Sequence, residues 1–511
     1  MISKIGSAVL NGLEVIKAEV EVGFSRGIPG ITIVGLPDNA VKESRERIKF
    51  AIRNSGFEYP VGVKIVVNLS PADVKKEGSA LDLPIAAGIL INKNGLDSTR
   101  FKDYIFFGEL NLKGELKPVK GVLNFAIYAK KNGYKGIIVP YDNGREASFV
   151  KGIDVFAFKT LKETGIFLKG ENITNPFKRD VTQKEKTVHQ VDFNEVKGQY
   201  IAKRAFEIAA AGFHNLLMVG PPGSGKSMMA KALPSILPEM SEEEVLETSL
   251  IYSSAGLLNK EKGLINSRPI RTPHHTISDV GMSGGGRYPV PGEISLAHNG
   301  VLFLDELPHF KKSAIEVLRQ PLEDGKISIS RSLCTYTFPS KFMLIAAMNP
   351  CEDTIGIKTS EYFECNQSQK IRYYSKISKP LLDRIDLQIA IEKVPIDEIT
   401  SKIISDSSEM IRARVTKARN IQLDRFKNLR KKIFANGQMG NREIKKFCNP
   451  DPEAIDLLKK AIKKFDLSTR SYFKMIKIAR TIADLAGKEN ISVFEIQEAL
   501  QYRSDNLFSL F

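Results

Sequence analysis

One stretch of eight residues constrains this chain most strongly, because it matches the G-x-x-x-x-G-K-[ST] phosphate-binding loop at each defined position. The stretch reads Gly220-Pro221-Pro222-Gly223-Ser224-Gly225-Lys226-Ser227. Four apolar residues, 216–219, precede it as a buried strand would, and a helix-favouring stretch begins at Met228. The alternative is an ordinary glycine turn between a strand and a helix, and the agreement of both flanks argues against it.

The loop has the chemistry that a nucleoside triphosphate requires. Its glycines let backbone N–H groups curl around a phosphate, and the helix that follows adds the positive end of its dipole. Lys226 is expected to reach the β- and γ-phosphates, and Ser227 is expected to hold Mg²⁺. The sequence therefore predicts that residues 220–227 bind ATP together with Mg²⁺.

An acidic pair, Asp305-Glu306, follows the apolar run 301–304 further along the chain. Such a run predicts a buried parallel strand, and ligands bind at the carboxyl ends of parallel strands. Asp305 is expected to coordinate Mg²⁺, and Glu306 is expected to polarise the attacking water. An apolar run ending in two acidic residues is also common in surface turns, but its position after a phosphate loop favours the catalytic interpretation.

Composition indicates an ordinary globular protein, with 42% hydrophobic and 26% charged residues in 511. No apolar stretch reaches the ~18 residues of a membrane span, and the first residues lack the apolar core of a signal peptide. These features predict a cytoplasmic protein without a membrane partner. The net charge of +16 favours a polyanion such as DNA, although lysine-rich surfaces also serve solubility alone.

The first 170 residues predict a mixed α+β domain. Residues 15–24 alternate apolar and charged side chains, which is typical of a half-exposed strand. Residues 38–55 predict a helix capped by Asp38 and stopped by Gly56. The polar stretch 171–190 predicts a flexible linker.

Three motifs of this first domain resemble a known family. They are Lys76-Glu77-Gly78-Ser79, Asp82-Leu83-Pro84-Ile85-Ala86 and Gly108-Glu109-Leu110. They resemble the Lon-protease-type, ribosomal-S5-like domain at the front of the YifB/ComM family of magnesium-chelatase-like AAA+ ATPases. The resemblance covers nearly the whole chain. It implies a multidomain α/β protein with an S5-like α+β domain (1–170), the linker (171–190), a P-loop AAA+ core with a parallel sheet (191–395) and an α-helical lid (396–511).

The resemblance also implies roles for three further residues. Asn349 matches the sensor-1 position, which orients the lytic water. Arg384 matches the arginine finger, which reaches the γ-phosphate of a neighbouring subunit and therefore requires a ring, expected to be a hexamer. Arg470 matches the sensor-2 position, which bonds the γ-phosphate from the lid of its own subunit. The alternatives are a surface ion pair of Arg384 with Asp383 or Asp386, and a lid surface role for Arg470.

Proteolysis is not expected from the first domain. Aligned with the serine–lysine dyad of Lon-type proteases, the nucleophile position falls on Ala80. The two lysine positions fall on Leu123 and Phe125, of which the second is catalytic. Alanine and phenylalanine can neither attack a carbonyl nor accept a proton. Ser79 lies one residue out of register.

The predicted core contains two insertions whose residues suggest possible functions. One contains His274 and His275, and a metal site there is not expected, because adjacent histidines splay apart. The other, residues 326–338, alternates in both arms and predicts a β-hairpin with Arg331 near its tip. By resemblance this hairpin would point into the ring's pore and grip phosphates. The alternative is that it packs on a neighbouring subunit.

The resulting expectation is an ATP-hydrolysing ring that moves on single-stranded or branched DNA, as in branch migration during recombination or natural transformation. The alternative is a chelatase-like motor that remodels a protein partner. The basic helix predicted over 410–426 could touch DNA, or could simply present a solvated face.

Overall fold

The computed structural model describes residues 2–76, 78–171, 175–178, 191–259, 263–286, 289–330, 335–351, 366–395, 397–398, 406–464 and 468–503. Most of the predicted linker, and the hairpin tip with Arg331, lie outside these residues. The chain divides into two compact units. The first comprises Met1–Glu185, Glu242–Ile265 and Ser330–Phe338, and the second comprises Lys186–Ser241, Asn266–Ile329 and Pro339–Phe511.

The first unit is built on a mixed seven-stranded sheet. Its strands, in spatial order, are Gly30–Val34, Lys64–Ser70, Glu14–Ser25, Ile2–Asn11, Tyr104–Phe106, Gly136–Pro140 and Asp154–Phe158. Two short strands, Glu109–Leu110 and Leu116–Lys117, pair separately. The helices of this unit are Asn39–Asn54, Asp82–Lys93, Val122–Lys131, Tyr141–Ser148, Leu161–Lys169 and Glu242–Ala255, with a 3₁₀ turn at Ser98–Phe101.

Local sequence explains most of these elements. In Glu14–Ser25 the buried positions alternate with exposed or half-buried ones, as the period-two pattern predicts. Asp38 caps the helix Asn39–Asn54 by accepting a hydrogen bond from Val41 N at 2.8 Å, which confirms the predicted cap. The strand Ile2–Asn11 has no such signal, because it buries Ser3 and Ser7 and satisfies their hydroxyls on backbone carbonyls.

The second unit is built on a five-stranded parallel sheet. Its strands, in spatial order, are Ile270–Arg271, Val301–Leu304, Met343–Met348, Leu216–Val219 and Leu387–Ala390. Around this sheet lie the helices Tyr200–Gly212, Lys226–Ala232, Asp279–Ser283, Glu293–Leu296, Lys312–Glu316, Arg319–Asp324, Gln367–Tyr374 and Lys379–Leu382, and 3₁₀ turns at Phe193–Glu195, Leu233–Ile236 and Leu307–His309. Gly284–Gly285 and Val290–Pro291 form a small separate sheet.

The C-terminal part of this unit is helical. Its helices are Ser408–Phe426, Asn441–Phe447, Pro452–Lys464, Thr469–Leu485 and Val493–Gln501, with a 3₁₀ turn at Asn436–Gln438. Buried residues of these helices, such as Val415 and Ile478, belong to the same apolar cluster as Met218 and Ile345 of the sheet. The predicted fold class, a parallel α/β core with a helical C-terminal region, is confirmed.

The two arms of the predicted hairpin are strands, Lys326–Ser330 and Thr335–Pro339. Within the described part of the chain, no helix has both the length and the apolar character that a membrane span requires.

Candidate functional site

The phosphate-loop motif lies between a strand and a helix, as its sequence predicts. The strand Leu216–Val219 ends at the loop, and the helix Lys226–Ala232 begins with Gly225 as its cap. Gly223 and Gly225 have φ angles of 78° and 92°, which side chains rarely adopt. A Cβ atom at Gly220 would lie 2.2 Å from the carbonyl oxygen of Ile391. The glycines are therefore required by backbone conformation and by close approach.

Lys226 closes this loop. Its Nζ donates hydrogen bonds to the carbonyl oxygens of Gly220 at 2.7 Å and Pro221 at 2.8 Å, and to the hydroxyl of Ser224 at 3.3 Å. Lys226 is 7% exposed, so its charge is held close to the start of the helix. A cation among peptide dipoles at this position suits a bound polyphosphate.

Ser227 and Asp305, the two predicted metal ligands, lie in contact. The Ser227 hydroxyl donates to Asp305 Oδ2 at 2.7 Å, although 78 residues separate the two in sequence. A hydroxyl and a carboxylate are hard oxygen ligands of the kind that Mg²⁺ prefers beside substrate phosphates. The residues present therefore fit this ion, and Ser227 and Asp305 would hold it.

Glu306 follows Asp305 with a strained backbone and two histidine neighbours. Its φ is +52°, uncommon for any residue with a side chain. Its Oε2 lies 3.5 Å from His275 Nδ1 and 3.4 Å from His309 Nδ1. The rings of His274 and His275 lie with their centroids 4.1 Å apart and their planes tilted by 33°, so the expectation that these adjacent histidines splay apart is wrong. The insert folds back and brings His275 to Glu306, which residue spacing could not indicate.

Asn349 is brought to the same edge of the sheet. It follows the strand Met343–Met348, which lies between the strand that leads to Asp305 and the strand that leads to the loop. It is half-buried, and its carbonyl oxygen accepts a hydrogen bond from the hydroxyl of Tyr373 at 2.9 Å. Lys226, Ser227, Asp305, Glu306 and Asn349 thus share the carboxyl edge of one parallel sheet.

Arg384 and Arg470 lie elsewhere. The carbonyl oxygen of Arg384 accepts from Asn215 Nδ2 at 3.1 Å, and Asn215 precedes the strand whose other end carries the loop. Both guanidinium groups contact the carboxylate of Glu323, each on a different oxygen. The hydrogen bond from Arg384, together with both positive charges, keeps the pKa of Glu323 below its usual value.

This arrangement rules out the alternative partners that the sequence suggested for Arg384. The ion-pair partner of Arg384 is Glu323, not Asp383 or Asp386. Arg470 contacts the same carboxylate, so its guanidinium lies beside that of Arg384. Neighbours distant in sequence determine both contacts.

A buried charge network at this amino edge was not predicted. Asp386 lies 3.4 Å from Lys474 Nζ and 3.6 Å from His214 Nδ1, and it accepts from Asn215 N at 3.1 Å. Burial alone would raise the pKa of Asp386, but the charge of Lys474 and the nearby imidazole of His214 hold it far below its usual range. The network joins the helix Thr469–Leu485 to the start of the strand that precedes the loop.

These features define a class of protein. The site combines a phosphate loop, an acidic pair and an asparagine at the carboxyl edge of a parallel sheet, and a helical region follows the sheet. This is the arrangement of an AAA+ protein.

Three family models match the chain. They are described as "Magnesium chelatase, subunit ChlI" at residues 192–399, "Subunit ChlI of Mg-chelatase" at residues 20–143, and "Magnesium chelatase, subunit ChlI C-terminal" at residues 405–503.

Close relatives cover almost the full length. The chain is 40% identical over 501 residues to "Competence protein ComM" of Haemophilus influenzae, covering 96% of each chain. It is also 40% identical over 487 residues to "Uncharacterized protein YifB" of Escherichia coli, covering 95% of this chain and 94% of that protein. The chain belongs to the YifB/ComM family of magnesium-chelatase-like AAA+ proteins.

Proposed function

We propose that the protein hydrolyses ATP with Mg²⁺ at the site formed by residues 220–227, Asp305, Glu306 and Asn349. The observation that carries this proposal is the hydrogen bond between Ser227, in the helix after the loop, and Asp305, at the end of the strand Val301–Leu304. When bound, Mg²⁺·ATP supplies a phosphoryl group activated for transfer to water.

Each side chain at the site has a separate task. Backbone N–H groups of the loop and the Lys226 ammonium bind phosphate oxygens. Ser227 and Asp305 would hold the metal ion. Glu306 accepts a proton from water or orients it, and Asn349 orients the same water from the adjacent strand.

The position of Arg384 supports a ring, which we propose is a hexamer. A finger arginine must approach the γ-phosphate, but the backbone of Arg384 is anchored at the amino edge of the sheet, opposite the loop. Its natural target is therefore the nucleotide of a neighbouring subunit. Arg470 shares Glu323 with Arg384, and this favours the same neighbour over the own-subunit role expected from sequence.

We propose DNA, single-stranded or branched, as the substrate on which a cytoplasmic motor of this kind moves. The net charge of +16 favours a polyanion, and a relative at 40% identity is named a competence protein. The helix Ser408–Phe426 adds little support. Arg414 pairs with Glu207 and Asp406, Arg419 is buried against the carbonyl oxygens of Ala210 and Ala211, and Arg425 pairs with Asp484.

The test is steady-state ATP hydrolysis by the purified protein without DNA and with single-stranded, double-stranded and branched DNA at fixed low salt. A motor that translocates on DNA is stimulated by the form on which it moves, and added salt removes this stimulation. Joint-molecule substrates labelled on one strand then measure branch migration directly.

The second candidate is a motor that remodels a protein partner, which the match to magnesium chelatase family models favours. Hydrolysis that responds to none of the three DNA forms, in a preparation that hydrolyses ATP, would favour this alternative. An inactive preparation would contradict the ATPase proposal itself.

A further inference from the structure

We infer that His275 and His309 are positioning residues that fix the carboxylate of Glu306. The insert that contains His275 thereby contributes to the hydrolytic site. This inference rests on the proposed ATPase function. It assigns a role to two residues that the phosphate-loop and acidic-pair motifs do not include.

The two imidazole rings approach the same atom. His275 Nδ1 and His309 Nδ1 lie 3.5 Å and 3.4 Å from Glu306 Oε2. A glutamate side chain that is half exposed would otherwise sample several rotamers, and each would place its oxygens differently. Two neighbours at one oxygen restrict that freedom and fix the position of Oε2.

The backbone supports the same conclusion. Glu306 is held at a φ of +52°, and residues in such rarely populated regions are retained where the surrounding structure imposes them. The short turn Leu307–His309 closes with a hydrogen bond from His309 N to the carbonyl oxygen of Glu306 at 2.8 Å. The turn directly after Glu306 therefore brings the His309 ring back to the Glu306 carboxylate.

His275 belongs to a different segment of the chain from Glu306 and His309. Its loop follows the strand Ile270–Arg271, which pairs in parallel with Val301–Leu304, so both strands deliver their following residues to the same edge. The ends of the insert are joined by two hydrogen bonds from Arg271 to Glu293, at 2.6 Å and 2.7 Å. A further hydrogen bond, from Ser313 to Asp279 at 2.9 Å, ties the insert to the helix Lys312–Glu316.

Ring packing completes the arrangement. The His275 ring meets the His309 ring edge-on with centroids 5.9 Å apart, and it also contacts Phe310. His274 is exposed and its ring lies beside that of His275, but its Nδ1 faces the Thr276 hydroxyl at 3.0 Å within its own loop. This difference makes His274 a matched control for the two residues that face Glu306.

The experiment measures kcat and KM for ATP in His275→Leu, His309→Leu, the matched His274→Leu, and the conservative His275→Asn and His309→Asn. Asparagine Nδ2 occupies roughly the place of imidazole Nδ1 and can donate to the same oxygen. Misplacing a catalytic group by about 1 Å costs up to ~100-fold in rate, so we expect kcat to fall about tenfold to a hundredfold in each Leu variant. KM is expected to stay within about twofold, since neither ring belongs to the phosphate loop.

The conservative variants and a double-mutant comparison separate positioning from folding. Asn variants should recover most of kcat, and His274→Leu should stay within about twofold of the unmutated protein. In a Glu306→Gln background the same His→Leu changes should have no further effect, because positioning residues act only through the group that they position.

Three results would overturn the inference. The first is unchanged kcat in both Leu variants of a protein that Glu306→Gln inactivates. The second is an equal loss in the Leu and Asn variants accompanied by weakened ATP binding. The third is an additive loss in the Glu306→Gln background. Absence of hydrolysis in the unmutated protein would instead refute the proposed function, and the inference with it.

Discussion

The hydroxyl of Ser227 donates a hydrogen bond to the carboxylate of Asp305, with 2.7 Å between Oγ and Oδ2. This contact joins the helix after the phosphate loop to the strand that leads to the acidic pair. Both groups are oxygen ligands, so removing either one should weaken metal binding more than nucleotide binding.

Ser227→Ala should therefore raise the Mg²⁺ concentration needed for half-maximal hydrolysis by about tenfold or more. Ser227→Thr keeps the hydroxyl and is the matched control, because the motif accepts either residue. The measurement is a Mg²⁺ titration of hydrolysis at saturating ATP. Equal metal requirements in the Ala and Thr variants would remove Ser227 from the metal site.

Glu306→Gln should bind ATP but hydrolyse it at least about a hundredfold more slowly, since the amide cannot accept a proton from water. Binding is measured with a fluorescent ATP analogue and turnover by phosphate release. Retained turnover in this variant would show that another group activates the water.

Mixing two inactive variants tests the role of Arg384 across subunits. Lys226→Ala and Arg384→Ala should each be nearly inactive, and loss of a finger arginine typically costs about 10³-fold or more. If Arg384 acts on its neighbour, mixed rings contain some sites with both residues intact, and partial hydrolysis returns. No recovery in a preparation shown to exchange subunits would contradict action across subunits.

The first domain should not cleave protein. Phe125, at the position of the catalytic lysine, is buried and stacked on Phe107 with centroids 3.9 Å apart. Ser79 contacts the carboxylate of Glu109. With ATP and Mg²⁺ present, casein should remain intact on gels over hours. Cleavage that Ser79→Ala abolishes would show that the proteolytic interpretation had been rejected in error.

Stability at low pH should depend on Glu495, which caps the helix Val493–Gln501. Its carboxylate pairs with Lys488 at 2.7 Å and accepts from Ser492 N at 2.8 Å. Burial alone would raise the pKa of Glu495, but these bonds lower it from 4.5 to about 2. The folded state thus binds fewer protons than the unfolded state, so this stabilisation is complete above pH 4.5 and is lost as the pH falls towards 2.

Glu495→Gln should accordingly cost about 1–2 kcal/mol at pH 7 and progressively less below pH 4.5. Urea unfolding of the C-terminal helices at pH 7 and pH 3.5 gives the comparison. Glu489→Gln, at an exposed position three residues before the N-cap Ser492, serves as the control. A difference between Glu495→Gln and unmutated protein that does not change with pH would exclude the ionised carboxylate as the source.

Local chemistry made much of this structure predictable. The strand 216–219, the loop glycines and the strand 301–304 follow from short patterns of apolar residues and glycine, and their observed bounds match. The hydrogen bond from Ser492 N to the Glu495 carboxylate, three residues further along, is equally local. Such features depend on residues within a few positions of one another.

Contacts between distant segments could not be predicted in the same way. Glu323 binds Arg384 and Arg470 although 61 and 147 residues separate them in sequence. Likewise, the approach of His275 to Glu306 depends on how the insert is tied by Arg271 and Glu293. No spacing rule connects such residues, because the sheet and its insert bring them together only after folding.

The first unit is formed by segments that are separated in the sequence, and this determines which fragments of the protein can fold alone. The helix Glu242–Ala255, encoded between the phosphate loop and the acidic pair, belongs to that unit: Gly121 N donates to Ser253 O at 3.0 Å, and Leu250 packs against an apolar cluster that includes Phe125 and Ala126. A fragment ending at the linker would lack this helix and expose the surface that it covers. The complementary fragment would carry a helix with no place to dock. Neither half is a separable module, so expression of the second unit alone requires excision of residues 242–265 and 330–338 as well as removal of the amino-terminal segment.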